Sequence, residues 1–432
     1  MKKWGVVLVV GLILQNDSAI FAESMKGRRD ITLEHKQKFS KPIKFLGIGI
    51  DSGGNPYPKF IASQRYIKIL GVKGEIKRLI TRKENPKGSL NTGIYQNEYG
   101  NNLAVHITNG YSDARESWLN GEYFIFDGEG HETLHIKHFD DNTTPIPSPS
   151  GDYAVGWPSP AEGVGGPPIF YDVNGYRNKW AGRWWKWARR AFKGEAVREW
   201  PAIYGVEDVN FSADGNRVVV GGYKGDPIIS GRTFMYDANG NLLWKIPGSG
   251  KAVFSPEGKY LAQAGWLGTR LLSTDTGQVI WENKKVNGAL IYMKFSSNGD
   301  SLLVASSQGN VYFFNAHTGK ILWQLAGQSL PNMPHGFNFG IKGLGVTGNI
   351  KIIALAAETF RIKNHYPETL NDYLILLSGK GRLISTLTLP PDTFTLEGMF
   401  YGGSVPLAFS RDGDKLMIVT KNDLRTYKIH EK

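Results

Sequence analysis

The sequence predicts an all-β protein built from one four-stranded unit that repeats along the chain. Three observations carry that prediction. First, the turn Phe-Ser-x-x-Gly recurs at Phe211–Gly215, Phe254–Gly258, Phe295–Gly299 and Phe409–Gly413. Its first three copies lie about 40–45 residues apart, the length of one four-stranded blade. Second, a glycine-bearing turn recurs between apolar runs. It is found at Val72–Gly74, Asp127–Gly130, Asp172–Gly175, Asp237–Gly240, Asp275–Gly277, His317–Gly319 and Ser378–Gly381. Such turns are strong hairpin signals. Third, the stretch Phe295–Leu325 reads as a complete unit. Ser301–Ser306 and Asn310–Asn315 are apolar runs, and Lys320–Leu325 leaves the turn that follows them. A sheet of this size cannot bury both faces alone, but it can when stacked radially on copies of itself. The predicted architecture is a single closed β-propeller.

The elements follow in order. Met1–Ala22 reads as a signal peptide: Lys2 and Lys3, an apolar run from Trp4 to Leu14, and small residues ending at Ala22. The propeller domain is then 23–432. Ile31–Phe39 is a strand that pairs with Leu424–Ile429 and closes the ring, because an open ring would leave a bare sheet edge. Seven units are nearly complete. An eighth is assembled from Val405–Phe409, Lys415–Thr420, Leu424–Ile429 and the N-terminal strand. Eight blades is therefore the expected number, with seven as the alternative if Ile43–Ile50 is not a strand. Long loops are expected at Asn109–Glu122, Pro145–Pro168, Gln328–Asn338 and Phe360–Asp372.

Composition agrees and excludes some chemistry. The chain has 432 residues with 53 Gly, 21 Pro and 12% aromatics, which suits a turn-dense all-β fold. It has no cysteine. That excludes disulfides, a lipidated cysteine and thiolate metal sites. The net charge is +12, and loss of Lys2, Lys3 and Asp17 with the leader makes it +11. A charge of this sign favours acidic partners.

Three hairpins carry a resemblance. Asp275-Thr276-Gly277-Gln278-Val279-Ile280-Trp281 and Thr318-Gly319-Lys320-Ile321-Leu322-Trp323 resemble the repeat of pyrroloquinoline-quinone-type (PQQ-type) propellers. Asn239-Gly240-Asn241-Leu242-Leu243-Trp244 is a looser copy, and the Phe-Ser-x-x-Gly starts resemble WD-type propellers. The resemblance is good over Val209–Leu325. It implies that Trp244, Trp281 and Trp323 are buried between neighbouring blades. At the same offset, other units have Arg78, Leu134 and Ser385. Quinone-dependent dehydrogenases of this type hold their cofactor with an adjacent-cysteine disulfide and calcium. This chain lacks those cysteines, so the resemblance implies the fold without the cofactor. A closer analogy is the non-catalytic propeller of outer-membrane assembly, a scaffold.

Two motifs suggest metal sites and are better read as β structure. His131-Glu132-Thr133-Leu134-His135 matches the H-E-x-x-H zinc signature, which needs a helix. Here it follows a hairpin turn and should be a strand. On a strand its two histidines would stand ~13 Å apart, too far for two Zn–N bonds of ~2.1 Å. Asp237–Asn241 resembles a calcium loop but lacks the closing glutamate, and reads as a hairpin turn. The sequence assigns no catalytic, cofactor-binding or metal-binding residue.

Trp180–Gly194 breaks the β pattern, within an insertion spanning 177–198. At 100° per residue, Trp180, Trp184, Trp185 and Trp187 share an arc of about 160° with Ala181, Ala188, Ala191 and Phe192. Arg183, Lys186, Arg189, Arg190 and Lys193 fall opposite. An amphipathic α-helix is predicted, with Gly194 as its cap. From Arg177 to Arg198 there are eight basic residues and one acidic one. Trp180, Arg183, Trp184, Trp185, Lys186, Trp187, Arg189, Arg190 and Lys193 form the candidate interaction surface. It faces either the propeller's own surface or a partner.

The expectation is an exported protein, periplasmic or extracellular, with no cofactor. It would be a non-catalytic scaffold for a protein or an anionic polymer. One alternative is a hydrolase or lyase acting on carbohydrate or peptide at the channel mouth. Another is a protein that binds anionic lipid or polysaccharide surfaces through the Trp-rich helix, in peripheral membrane contact. Export makes nucleic acid a poor candidate partner.

Overall fold

A computed structural model describes residues 31–38, 46–62, 66–81, 89–91, 102–108, 121–139, 146–156, 168–177, 205–223, 231–248, 250–265, 268–286, 290–306, 308–330, 336–363, 366–394, 405–421 and 423–430. Among these residues there are eight four-stranded antiparallel sheets, and seven of them are consecutive in sequence. After β1 (Ile31–Lys38), the first sheet is β2 (Leu46–Ile50), β3 (Pro56–Ala62), β4 (Tyr66–Leu70) and β5 (Ile76–Thr81). The second is β6 (Ser89–Asn91), β7 (Leu103–Thr108), β8 (Gly121–Phe126) and β9 (Glu132–Phe139). The third is β10 (Ile146–Pro147), β11 (Ala154–Gly156), β12 (Ile169–Asp172) and β13 (Gly175–Tyr176). The fourth is β14 (Gly205–Phe211), β15 (Arg217–Tyr223), β16 (Arg232–Asp237) and β17 (Leu242–Pro247). The fifth is β18 (Lys251–Phe254), β19 (Tyr260–Gly265), β20 (Gly268–Ser273) and β21 (Val279–Asn283). The sixth is β22 (Leu290–Phe295), β23 (Ser301–Ser306), β24 (Asn310–Asn315) and β25 (Ile321–Ala326). The seventh is β26 (Asn338–Val346), β27 (Ile352–Lys363), β28 (Tyr366–Ser378) and β29 (Leu383–Leu389).

The eighth sheet joins the two ends of the chain. Its order is β1, β32 (Asp423–Ile429), β31 (Lys415–Val419) and β30 (Leu407–Phe409). β1 runs antiparallel to β32, with Ile31 opposite Ile429 and Gln37 opposite Leu424. This is the pairing that the sequence predicts. Asp423 is buried at the start of β32, where Arg425 Nε donates to it at 2.6 Å and Lys36 of β1 reaches it at 3.4 Å. The N-terminal strand is thus held by its ladder and by a charge buried in its neighbour.

The chain divides into two compact units, residues 1–79 with 289–432, and residues 80–288. Within the first, apolar faces pack the sixth sheet on the seventh through Leu303, Phe313, Leu355 and Ile375. The seventh packs on the eighth through Ala356, Leu374, Leu416 and Tyr427. The eighth packs on the first through Val419, Leu424, Ile48 and Ile61. Within the second unit the second to fifth sheets pack in succession. The third, fourth, seventh and eighth sheets thereby cover both faces within their own units, which a lone four-stranded sheet cannot do.

The repeated turns have local causes. In all four copies of Phe-Ser-x-x-Gly the serine hydroxyl accepts a backbone N–H five positions on, and in all but the Ser255 copy it also donates to the residue two positions on. Ser410 Oγ donates to Asp412 Oδ1 at 2.6 Å and accepts from Lys415 N at 2.9 Å. Ser296 does the same with Asn298 at 2.7 Å and Ser301 N at 3.0 Å. The Ser410 hydroxyl helps to hold the Asp412 carboxyl down to about 2. Asp237, from the calcium-like stretch, accepts Asn239 N at 2.9 Å and Asn241 N at 2.8 Å, so it is spent on its own turn.

Three expectations are corrected. Pro145–Pro168 is not one long loop, since β10 and β11 lie within it. Phe360–Asp372 is not a long loop. β27 and β28 run on as one hairpin, with Lys363 opposite Tyr366 and an Arg361–Glu368 ion pair at 2.7 Å. Its polar residues hide the strand alternation. The tryptophans are half-buried rather than buried. Trp244 Nε1 donates to Thr274 O at 2.8 Å in the fifth sheet's hairpin, and Trp323 Nε1 to Gly379 O at 2.9 Å in the seventh's. Each ring lies flat against a hairpin glycine of the next sheet. A Cβ on Gly277 (φ 71°) would come within 2.8 Å of Trp244, and one on Gly381 (φ 74°) within 2.8 Å of Trp323. Each indole is thus held against the next sheet while it also packs on its own core cluster, and Trp323 stacks on Phe313. No α-helix occurs among the described residues; the predicted helix at 180–194 and the predicted leader at 1–22 lie outside them.

Candidate functional site

Each sheet has two ends with different connections. In an antiparallel four-stranded sheet, the links from strand one to two and from three to four share one end. The links from two to three and from four to the next sheet share the other. At the first end the links are the tight repeated turns, apart from 92–102. The long connections 109–120, 157–168, 177–204, 327–337 and 390–406 all leave from the second end.

In the unit of residues 1–79 and 289–432, the second end carries a cleft of about 700 Å³. Gln308, Asn310 and Gln328 come to it from the sixth sheet, and Asn338, Lys342 and Glu358 from the seventh. Phe360 and Gly340 complete the seventh sheet's side. Asn338 is opposite Phe360 and Gly340 opposite Glu358 in the β26–β27 ladder, so the four share one face of that sheet. Lys342 Nζ meets Glu358 Oε1 at 2.7 Å, and Thr369 Oγ1 donates to Glu358 Oε2 at 3.0 Å. Glu358 is buried and has both oxygens engaged.

A second carboxylate lies beneath the first. Asp372 of β28 is directly opposite Glu358 and only 1% exposed. Burial pushes its carboxyl up to about 6, with the nearby Glu358 adding to the effect. Phe394 N donates to its Oδ2 at 2.8 Å, which opposes the rise. The cleft thus has a neutralised Lys–Glu pair at its wall, and the reluctant acid lies on the next strand, outside the cleft's lining.

The residues singled out in the sequence are placed differently. Trp180, Arg183, Trp184, Trp185, Lys186, Trp187, Arg189, Arg190 and Lys193 lie outside the described residues. Arg177, where the predicted insertion begins, is described, and it is structural. Its Nε donates to Asp172 at 3.0 Å, one terminal nitrogen to Asp152 at 3.2 Å and the other to Ala238 O at 3.2 Å. Its guanidinium stacks 4.4 Å over the Tyr153 ring. It ties the third sheet to the fourth sheet's hairpin. The H-E-x-x-H stretch forms the turn before β9 and the start of that strand. His131 Nδ1 bonds Asp127 at 3.0 Å, whereas His135 stacks on Phe124 at 4.2 Å, so the two rings have separate tasks.

Sequence reasoning missed the cleft. Its polar residues come from separate strands of two sheets and meet only in three dimensions. One signal was readable: Glu358 interrupts the apolar run Ile352–Ala357, and a carboxylate at the end of such a run needs a partner.

The family model described as outer membrane protein assembly factor BamB matches residues 230–338. No curated protein matches the chain in sequence. Among solved structures, the C-terminal WD40 domain of Sif2 is similar, with a TM-score of 0.56 and 12% identity over 92% of this chain and 99% of that one. BamB from Moraxella catarrhalis is similar with a TM-score of 0.50 and 13% identity, over 92% and 100% of the two chains. The computationally designed Ika8 protein gives 0.52 and 13%, over 91% and 98%. The fold is that of a β-propeller, and residues 230–338 carry a repeat similar to the PQQ type.

Proposed function

We propose that the eight sheets close into one eight-bladed propeller, exported from the cytoplasm, that serves as a non-catalytic interaction scaffold. Closure is supported by β1, which completes the sheet of the C-terminal strands, and by the packing of the eighth sheet on the first. The observation that carries the function is that the long connections, all but 92–102, leave each sheet at the same one of its two ends. Tight turns at the other end serve the fold; long connections that the fold does not need are where binding residues collect. The likeness to an assembly factor favours a protein or polymer partner over a small substrate.

The Trp- and Arg-rich segment at 180–194 is the proposed contact, as an amphipathic helix offering a strongly basic surface to an acidic partner. The test is deletion of 178–198, which keeps the structural Arg177. The deleted chain is expected to melt as the full chain does and to lose binding to phosphatidylglycerol vesicles and to heparin. A deleted chain that unfolds, or that folds and binds as before, contradicts the proposal.

A further inference from the structure

The cleft at the second end of the sixth and seventh sheets has a chemistry of its own. Among the described residues, the side chains of Gln308, Asn310, Gln328 and Asn338 make no hydrogen bond. Each presents a carbonyl acceptor and an NH₂ donor side by side. Asn310 pairs with Ala326 and Asn338 with Phe360 in their ladders, while β26, which carries Asn338, is the edge strand of its sheet. The four side chains add amide donors and acceptors to that edge. An extended peptide would bind through main-chain hydrogen bonds to the edge, so a peptide is the control ligand in the test below.

Charge narrows the ligand further. Lys342 and Glu358 neutralise each other at 2.7 Å, and Thr369 occupies the other Glu358 oxygen. An anion would have to draw Lys342 away from a buried carboxylate, which is costly. The cleft is thus uncharged in a strongly basic chain. Phe360, half-buried at its wall, adds an aromatic ring to the four amides. Paired donors and acceptors beside an aromatic ring suit vicinal hydroxyls and the C–H face of a sugar ring. The volume lies within the usual range for small-ligand sites, about 300–1,000 Å³.

Gly340 supports the same reading. Its φ is ordinary, so the backbone does not require glycine there. A Cβ on it would lie 3.4 Å from Phe360 and 3.5 Å from Glu358, in normal contact. The missing side chain leaves space beside the two residues that a ligand would touch.

We propose that this cleft binds a short stretch of an uncharged oligosaccharide, with the amides of Gln308, Asn310, Gln328 and Asn338 reading its hydroxyls and Phe360 stacking on a ring. The proposal is independent of the basic segment at 180–194. The test titrates the full chain with maltohexaose, cellohexaose, chitohexaose and mannohexaose by calorimetry, with a hexa-alanine peptide alongside. At least one sugar is expected to bind. Asn338→Ala and Gly340→Leu, each folded by circular dichroism, should each weaken that binding roughly tenfold or more. A folded Asn310→Ala variant gives a second reading if Gly340→Leu fails to fold. Absence of binding by all four sugars to about 10 mM overturns the proposal. So does binding of the peptide alone, or sugar binding that the folded variants leave unchanged.

Discussion

The sixth and seventh sheets are neighbours, and they differ. The sixth obeys the repeat throughout. It has Gly299 at φ 78° closing its first turn, Gly319 at φ 68° in its hairpin and Trp323 docked on the next sheet. The seventh keeps the topology and breaks the details. Ile350 takes the place of Gly299, with φ 53° and its side chain buried in the core between the two sheets. Ser385 stands where the tryptophan would be. β27 and β28 are drawn out into a hairpin, and two buried carboxylates face one another across the strands. A β-branched residue at positive φ and a buried acid pair both cost stability. The seventh sheet tolerates them because its apolar faces pack on both neighbours. The teaching is spatial: the repeat holds most strictly where turns serve packing, and the departures bring the cleft with them.

The largest effect expected lies on the regular side of that comparison. Trp323→Ala removes a ring stacked 5.3 Å from Phe313 and leaves Gly379 O without its donor. It should lower the unfolding free energy by about 2–4 kcal/mol in urea titrations. Trp244→Ala, which loses the corresponding bond to Thr274, should match it. Unequal losses would show that the two docking sites are not copies of one device.

The next effect sharpens the irregular side. The Asp372 carboxyl is raised to about 6, so in the folded chain it keeps its proton above the pH at which the unfolded chain has lost it. Stability therefore falls as pH rises from about 4 through 6. Asp372→Asn removes that loss while its amide oxygen can still accept from Phe394 N. The variant should gain on the order of 1–3 kcal/mol over the parent at pH 7 and little at pH 4. The pH dependence of the urea midpoint for both proteins measures it. A difference between the two proteins that stays constant from pH 4 to 7 would mean that Asp372 ionises freely.

Much of the fold was legible because its causes are local. Ser and Gly at fixed offsets fold the first turn, and Gly277 and Gly381 are needed both for positive φ and for the indole beside them. Even the pairing of β1 with β32 followed from a spare apolar strand and an incomplete last sheet. The hairpin at Phe360–Asp372 was not legible, since Arg361, Lys363 and Glu368 are held by cross-strand ion pairs rather than by an apolar face. The cleft was not legible either. Gln308 and Asn338 are ordinary polar residues until two sheets bring their ends together.

The central claim is that the two ends of a sheet are constrained differently, one by packing and one by a site. Gly381 and Gly340 sit at opposite ends of the seventh sheet and test it in one experiment. Gly381→Ala puts a methyl at φ 74° and 2.8 Å from the Trp323 ring. It should cost about 2–3 kcal/mol in urea unfolding. Gly340→Ala meets only ordinary contacts and removes a flexible residue from a strand, so its midpoint should stay level or rise by up to about 1 kcal/mol. Equal destabilisation by the two substitutions would contradict the account, because Gly340 would then be serving the fold rather than leaving room for a ligand.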